Sequence, residues 1–217
     1  MNLAEKLETV AKNQQLVYDK GLERGAVNGR AEERAEFWNV YQSNGKKDHY
    51  MYAFAGGHWR DSIYNPTYPI VVIDNGNYMF SGSSITNTKV PIDISGLNAN
   101  AVNMFASSAI ETIPLLIVSD NSAALTTAFT SCNKLANLTI QGTIAKNANF
   151  QWCPLTRESI ESVINALSTD VAGTTATFKA SVVNTIFETN TGAGDGSESA
   201  GWMDLIAQKS NWTISLV

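Results

Sequence analysis

The feature that most constrains this sequence is an internal repeat with a period of 25 residues. Each copy places branched, mostly aliphatic side chains at the first, fourth and sixth positions of a short motif. Self-similarity at a fixed period of this length is typical of repeat architectures, in which each copy forms one structural unit. The copies are Ile85-x-x-Thr88-x-Val90, Ile110-x-x-Ile113-x-Leu115 and Leu135-x-x-Leu138-x-Ile140.

A phenylalanine precedes each copy, and a small side chain follows each phenylalanine by three positions. The phenylalanines are Phe80, Phe105 and Phe129, with Phe150 continuing the series, and the small residues are Ser83, Ser108, Cys132 and Cys153. We expect one inner stack of phenylalanines and another of aliphatic residues, with each small residue where the chain turns tightly. The predicted structural core of the repeat is Phe80, Ile85, Phe105, Ile110, Ile113, Leu115, Phe129, Leu135, Leu138, Ile140 and Phe150.

This pattern predicts a stacked coil. A single unit offers one short strand whose alternate residues point inward, and it cannot bury them alone. Successive units close a continuous core by stacking, so three or more are needed and the end units differ from the others. The repeat therefore predicts a rod-like scaffold for contact instead of a pocket for reaction.

One unit of the repeat carries a family resemblance. The segment from Phe129 to Ile140 follows the pattern F-x-x-[SC]-x-x-L-x-x-L-x-I and resembles the BspA-like leucine-rich repeat. The resemblance covers residues 78–155 and implies a leucine-rich-repeat-like solenoid there. The expected fold is α+β, with N-terminal helices, a solenoid of short parallel strands and an α/β C-terminal cap.

Residues 1–42 are predicted to be a helical anchor or oligomerisation segment. Leu3, Leu7, Val10 and Val17 recur at three- to four-residue or heptad-like spacing, which is typical of a coiled-coil seam. One interpretation is the seam of a homo-oligomer or a contact with virion proteins. The other is a surface helix that packs on its own domain.

Residues 43–77 are predicted to form an aromatic-rich N-terminal cap. The aromatic side chains in this irregular stretch pack over the open end of the core in one interpretation and form a carbohydrate-binding platform in the other. They are Tyr50, Tyr52, Phe54, Trp59, Tyr64 and Tyr68.

Residues 156–217 are predicted to form the C-terminal cap, in which helices and strands alternate. Thr156 is expected to cap a helix that runs to Ser168, and Ser181 to cap a second, short helix. Strands are expected at Thr175–Phe178 and Trp212–Val217, with a further helix around Trp202.

Charge and hydropathy exclude several classes of function. Charged residues make up 16% of the chain, against about 25% in ordinary globular domains. Residues 61–217 carry twelve acidic and six basic side chains, so the repeat region should repel nucleic-acid phosphates. No apolar signal region and no membrane-length apolar run are visible. We therefore expect no nucleic-acid partner and no membrane insertion.

The sequence contains few candidates for chemistry. His49 and His58 lie near Asp48 and Asp61, but their spacing matches no zinc pattern, and solvated loops explain them. We predict no catalytic, cofactor-binding or metal-binding residues. Cys132 and Cys153 occupy equivalent places in adjacent units, within disulfide reach if the coils stack as strands do. The alternative is two small buried thiols.

The ends of the chain extend the resemblance. The segments Phe37–Gly45, Leu155–Leu167 and Trp202–Ile214 look like those of leucine-rich-repeat proteins encoded in phages and prophages of gut Firmicutes. This implies a virion or tail-associated structural protein, located in the phage particle, that presents its solenoid to a host surface or to another protein. The alternative is a BspA-like adhesion module on a bacterial cell surface that binds a host protein or glycan.

Overall fold

A computed structural model describes residues 53–57, 59–62, 64–66, 68–72, 75–96, 101–187 and 200–217. The helical segment predicted for residues 1–42, with its proposed seam of Leu3, Leu7, Val10 and Val17, lies outside the described residues. So do Asp48, His49, Tyr50, Tyr52 and His58.

The described chain forms two parallel sheets and three helices. The first sheet has the order β1-β2-β3-β4, and the second has the order β5-β6-β7. The strands are β1 (Ile70–Val71), β2 (Ile92–Asp93), β3 (Thr112–Val118), β4 (Asn137–Gly142), β5 (Ala148–Phe150), β6 (Thr174–Phe178) and β7 (Trp212–Leu216). The helices are α1 (Arg157–Ala166), α2 (Ala180–Phe187) and α3 (Ala200–Ala207).

These elements form a solenoid-like coil of about four turns, which confirms the predicted stack of short parallel strands. Backbone hydrogen bonds join equivalent points of neighbouring turns. The Phe80 N–H donates to the Met104 carbonyl at 2.7 Å, and the Phe105 N–H donates to the Ala128 carbonyl at 2.9 Å. The sequence period thus corresponds to one step along the coil axis.

The predicted stack of phenylalanines is present and is longer than the repeat indicated. Phe80 lies against Phe105, Phe105 against Phe129, and Phe129 against Phe150, with ring centroids 5.0 to 5.4 Å apart. Phe54 extends this phenylalanine ladder at one end at 5.0 Å, and Phe178 extends it at the other at 5.8 Å. All of these rings are at most 3% exposed. Trp59 and Tyr64 meet Phe54 edge to face, as packed aromatics do at the end of a core.

The aliphatic stack is also present, with one correction. Ile113 pairs with Leu138, but Ile140 pairs with Leu116 and not with the predicted Leu115. Leu116 is fully buried, whereas Leu115 is only half-buried. The register shifts between Ile113 and Leu116, a stretch that contains Pro114, and proline cannot donate to the ladder and is found in strands mainly at edges or bulges. The other predicted aliphatic core residues, Ile85, Ile110 and Leu135, are buried.

Helix α1 takes the place of a strand beside β4. Thr156 is its N-cap, as predicted, and its side chain accepts from the Ser159 N–H at 3.3 Å. The hydroxyls of Ser159 and Ser162 accept the N–H groups of Leu138 and Ile140, both at 2.8 Å. The helix therefore hydrogen-bonds to the edge of the first sheet and ends it.

Side chains of the C-terminal segment hydrogen-bond to the backbone at the end of α1. Lys209 is 8% exposed, and its ammonium donates to the carbonyls of Asn165 at 3.2 Å and Leu167 at 2.5 Å. Trp212 Nε1 donates to the Ser168 carbonyl at 2.7 Å. The predicted cap role of Ser181 is wrong, since α2 begins one residue earlier, at Ala180.

Candidate interaction surface

The outer side of the first sheet carries side chains in rows that run along the coil axis. Successive side chains of a strand point to opposite faces, so every buried core residue has an outward neighbour. One row joins Val71, Asp93, Ile117 and Gln141, which are paired from strand to strand. Each turn of the coil therefore adds one side chain to this row.

A second row consists of Asn87, Thr112 and Asn137. The Asn137 Nδ2 group donates to the Thr112 hydroxyl at 3.4 Å. Asp93 is the only charged residue within β1 to β4. The outer side of this sheet, which we call the strand face, is thus a nearly uncharged surface of amides, hydroxyls and aliphatic groups.

The opposite side of the coil is built from tight turns around the phenylalanine ladder. The residue two positions after a ladder phenylalanine has a positive φ in three successive turns: 65° at Gly82, 55° at Ser107 and 56° at Ser131. Non-glycine residues adopt this left-handed conformation at a cost of about 1–2 kcal/mol. The tight turn therefore lies one residue before the small side chain for which it was predicted.

The small side chains instead line the interior as a column. Ser83, Ser108, Cys132 and Cys153 are 2%, 5%, 0% and 1% exposed. In the first three turns the residue before the small side chain is left-handed, but Trp152, before Cys153, is not. The repeat therefore identified four buried positions, and their side chains lie inside the coil and not at the tight turn.

Both cysteines are free thiols in the structure, which agrees with the interpretation as two small buried groups. The Cys132 thiol donates to the Phe105 carbonyl at 2.9 Å. Burial raises the pKa of Cys132 to about 12, and burial also raises the pKa of Cys153. Both groups are therefore protonated at neutral pH and are poor nucleophiles.

Asp61, considered above as part of a metal site, has a structural role between turns. Its carboxylate accepts the Thr86 N–H at 2.9 Å and the Thr86 hydroxyl. The Lys89 ammonium donates to the backbone carbonyls of Asp61 at 3.1 Å and Tyr64 at 2.5 Å. Burial alone raises the pKa of Asp61, but the hydrogen bonds from Thr86 and Asn87 and the charge of Lys89 outweigh it and leave that pKa below 3.8.

A shallow groove lies where α1 and α2 meet. Arg157 lines it, with its guanidinium 4.3 Å from the Phe187 ring and hydrogen-bonded to the Ile186 carbonyl at 2.6 Å. Arg157 also lies 3.8 Å from the Glu161 carboxylate on the exposed helix surface. The Glu161 carboxylate thus lies on a solvated helix surface.

Within the described ranges, two large aromatic side chains are exposed outside the core. Tyr68 is 47% exposed and precedes β1, and Trp152 is 42% exposed and follows β5. Trp152 occupies the position two residues after Phe150, where the preceding turns carry Gly82, Ser107 and Ser131. The repeat pattern gave no reason to expect an exposed tryptophan there.

Across the described ranges, no three His, Cys, Asp or Glu side chains are grouped so that they could hold a metal ion. No helix in the described part of the chain is long and apolar enough to cross a membrane. No protein-family model matches the chain, and comparisons with curated proteins and with solved structures find no match either.

Proposed function

We propose that this chain is a non-catalytic contact protein whose solenoid presents its strand face to another macromolecule. The observation that carries the proposal is the pair of outward rows, in which amides, hydroxyls and aliphatic groups repeat from turn to turn around the single carboxylate of Asp93. Such a surface offers many similar contacts along its length. It suits an extended partner better than a small molecule, which requires a concave site.

The setting that we propose is a phage virion or tail, with a host surface or a virion protein as the partner. Residues 1–42 would join the chain to copies of itself or to other virion proteins. Support comes from the BspA-like motif of residues 78–155 and from the resemblance of both ends to leucine-rich-repeat proteins of phages and prophages. We propose no cofactor, no nucleic-acid partner and no insertion into a membrane.

The location is tested on purified phage particles that encode the chain. Mass spectrometry and immunogold labelling should detect the chain at a fixed copy number on the particle or its tail. Particles that lack the chain at every stage of purification would contradict the virion role.

The contact surface is tested with charge substitutions on opposite sides of the coil. Thr139 is exposed on β4, so Thr139→Arg places a charge on the strand face without disturbing the core. Val102 is 40% exposed on the turn side, which makes Val102→Arg the matched control. We expect Thr139→Arg to weaken binding of the labelled chain to host cells at least about tenfold and Val102→Arg to leave it unchanged. Equal effects of the two variants would contradict a role for the strand face.

The exposed rings of Tyr68 and Trp152 favour a second candidate function, adhesion to a host protein or glycan at a bacterial cell surface. Exposed tyrosine and tryptophan supply a large contact area and often dominate binding energy. On a glycan array, this function predicts binding that Tyr68→Ala or Trp152→Ala abolishes. Binding that both substitutions leave intact would reject it.

A further inference from the structure

The inward-facing side chains of the coil are fully buried at β6 but only half-buried at β7. Ala176 of β6 pairs with Ile214 of β7, and Phe178 pairs with Leu216, so these residues continue the same inward columns. Ala176 and Phe178 are 0% and 1% exposed, whereas Ile214 and Leu216 are only half-buried. The inward columns therefore continue to an apolar end that the described residues do not cover completely.

The backbone of β7 also has a free edge. The Val217 N–H donates to the Phe178 carbonyl at 3.1 Å, and the Val217 carbonyl accepts from the Ala180 N–H at 2.8 Å, so Val217 faces β6. Residues along a parallel strand face alternate neighbours. Ile214 and Leu216 consequently direct their N–H and C=O groups away from β6. Among the described strands, β7 pairs with β6 alone.

The features with which proteins usually block edge pairing are missing from this strand. Exposed edges are commonly protected by charged side chains, proline or a bulge. Strand β7 reads Trp-Thr-Ile-Ser-Leu, without charge or proline, and its five pairs with β6 follow an unbroken register. The edge is therefore straight, uncharged and able to accept another strand.

We propose that two copies of this chain pair through their β7 edges, antiparallel about a two-fold axis at Ser215. Ile214 of each copy then lies opposite Leu216 of the other copy. These are the residues whose N–H and C=O groups are free, so the arrangement forms about four hydrogen bonds between the copies. Because opposite residues share a face of the sheet, the half-buried apolar side chains of both copies meet and cover one another.

Self-complementarity favours a second copy over a different strand as the occupant. A two-fold axis places the same surface against itself, which is the usual arrangement in homodimers. At β7, this symmetry aligns every free donor with a free acceptor and every apolar side chain with another. The absence of charge within the strand means that the pairing brings no like charges together.

Cross-linking of the full chain tests the symmetry directly. Ser215 lies on the proposed axis, and directly opposite residues that share no hydrogen bonds have Cα atoms about 4.5 Å apart, within disulfide reach. We expect Ser215→Cys to form a disulfide-linked dimer when glutathione disulfide oxidises the two thiols. Thr213→Cys is the matched control, since two copies of residue 213 would lie about 14 Å apart along the strand direction. Equal cross-linking of the two variants, or none above the unmodified chain, would overturn the proposal.

Sedimentation equilibrium of the full chain separates this interface from association through residues 1–42. The Ile214 N–H points away from β6, so Ile214→Pro removes an intermolecular donor and preserves the bonds between β6 and β7. With circular dichroism confirming the fold, we expect the dimer dissociation constant to rise at least about tenfold. An unchanged dimer would place the interface elsewhere in the chain, and a monomer at all concentrations for the unmodified protein would also reject the proposal.

Discussion

The ring of Phe105 stacks on the ring of Phe129, with centroids 5.2 Å apart and planes within 4° of parallel. The two residues are 24 positions apart in the sequence, yet their separation in space is close to the 4.7–4.9 Å between neighbouring strands. The pair thus relates the sequence period directly to the rise of the coil. Each of the two rings therefore covers one face of the other.

Truncation of a middle ring should strongly destabilise the protein. Phe105→Ala removes a ring that is 1% exposed and stacked on both sides, and such changes cost about 3–5 kcal/mol. The free energy of unfolding from urea titration measures the effect. Val102→Ala, at an exposed position, should change it by less than about 0.5 kcal/mol. Similar losses of unfolding free energy in the two variants would show that the stacked rings do not stabilise the core.

Removal of one serine hydroxyl should open the edge of the first sheet. Ser159→Ala deletes the acceptor of the Leu138 N–H and the donor to the Ala136 carbonyl. A buried amide left without a partner costs about 1–3 kcal/mol, and the Leu138 amide should exchange with solvent faster. Hydrogen exchange read by NMR measures this, with Glu158→Gln on the exposed side of α1 as the control. Unchanged protection of Leu138 would argue against helix α1 as the edge cap.

The contribution of Asp61 should depend on pH in a defined direction. Its pKa in the folded protein lies below the unfolded value of 3.8, so the ionised carboxylate stabilises the fold. That stabilisation is fully present above the unfolded pKa and disappears as the pH falls through the folded pKa. The difference in unfolding free energy between the unmodified chain and Asp61→Asn should be constant near neutral pH and shrink below about pH 4. An equal difference in unfolding free energy above and below about pH 4 would contradict this role of the Asp61 carboxylate.

The two thiols should be inert in the folded protein. Cys132 and Cys153 are 0% and 1% exposed, and their raised pKa values keep them protonated. Titration with a thiol reagent at neutral pH should label neither cysteine in the native state and both in denaturant. Rapid labelling of the native protein would show that the column of small residues is open to solvent.

Much of the coil could be predicted because its spacing stays close to the repeat period. Phe80, Phe105 and Phe129 are 25 and 24 residues apart and were identified as one stack. Phe54 and Phe178 belong to the same ladder but lie 26 and 28 residues from their neighbours. Turns of a coil absorb such changes of length in their loops without changing the stack, as they also do between Phe129 and Phe150, which are 21 residues apart.

Other features depend on contacts that no spacing encodes. The register of β3 shifts between Ile113 and Leu116, which buries Leu116 in place of Leu115. The serines of α1 accept hydrogen bonds from β4 only because the helix lies beside that strand. The strand face follows from pairing between turns, so the sequence predicted a contact scaffold but not which side chains form its rows.

A double-mutant cycle between neighbouring rings tests the central claim, that the repeats stack in sequence order along one axis. The free energies of unfolding are measured for Phe105→Leu, Phe129→Leu and the double variant, and in parallel for the Phe80 and Phe129 pair. Stacking in order predicts a coupling of about 0.5–1.5 kcal/mol between Phe105 and Phe129 and almost none between Phe80 and Phe129, which the Phe105 ring separates. Additive effects at Phe105 and Phe129, or an equal coupling in both pairs, would contradict the stacked coil.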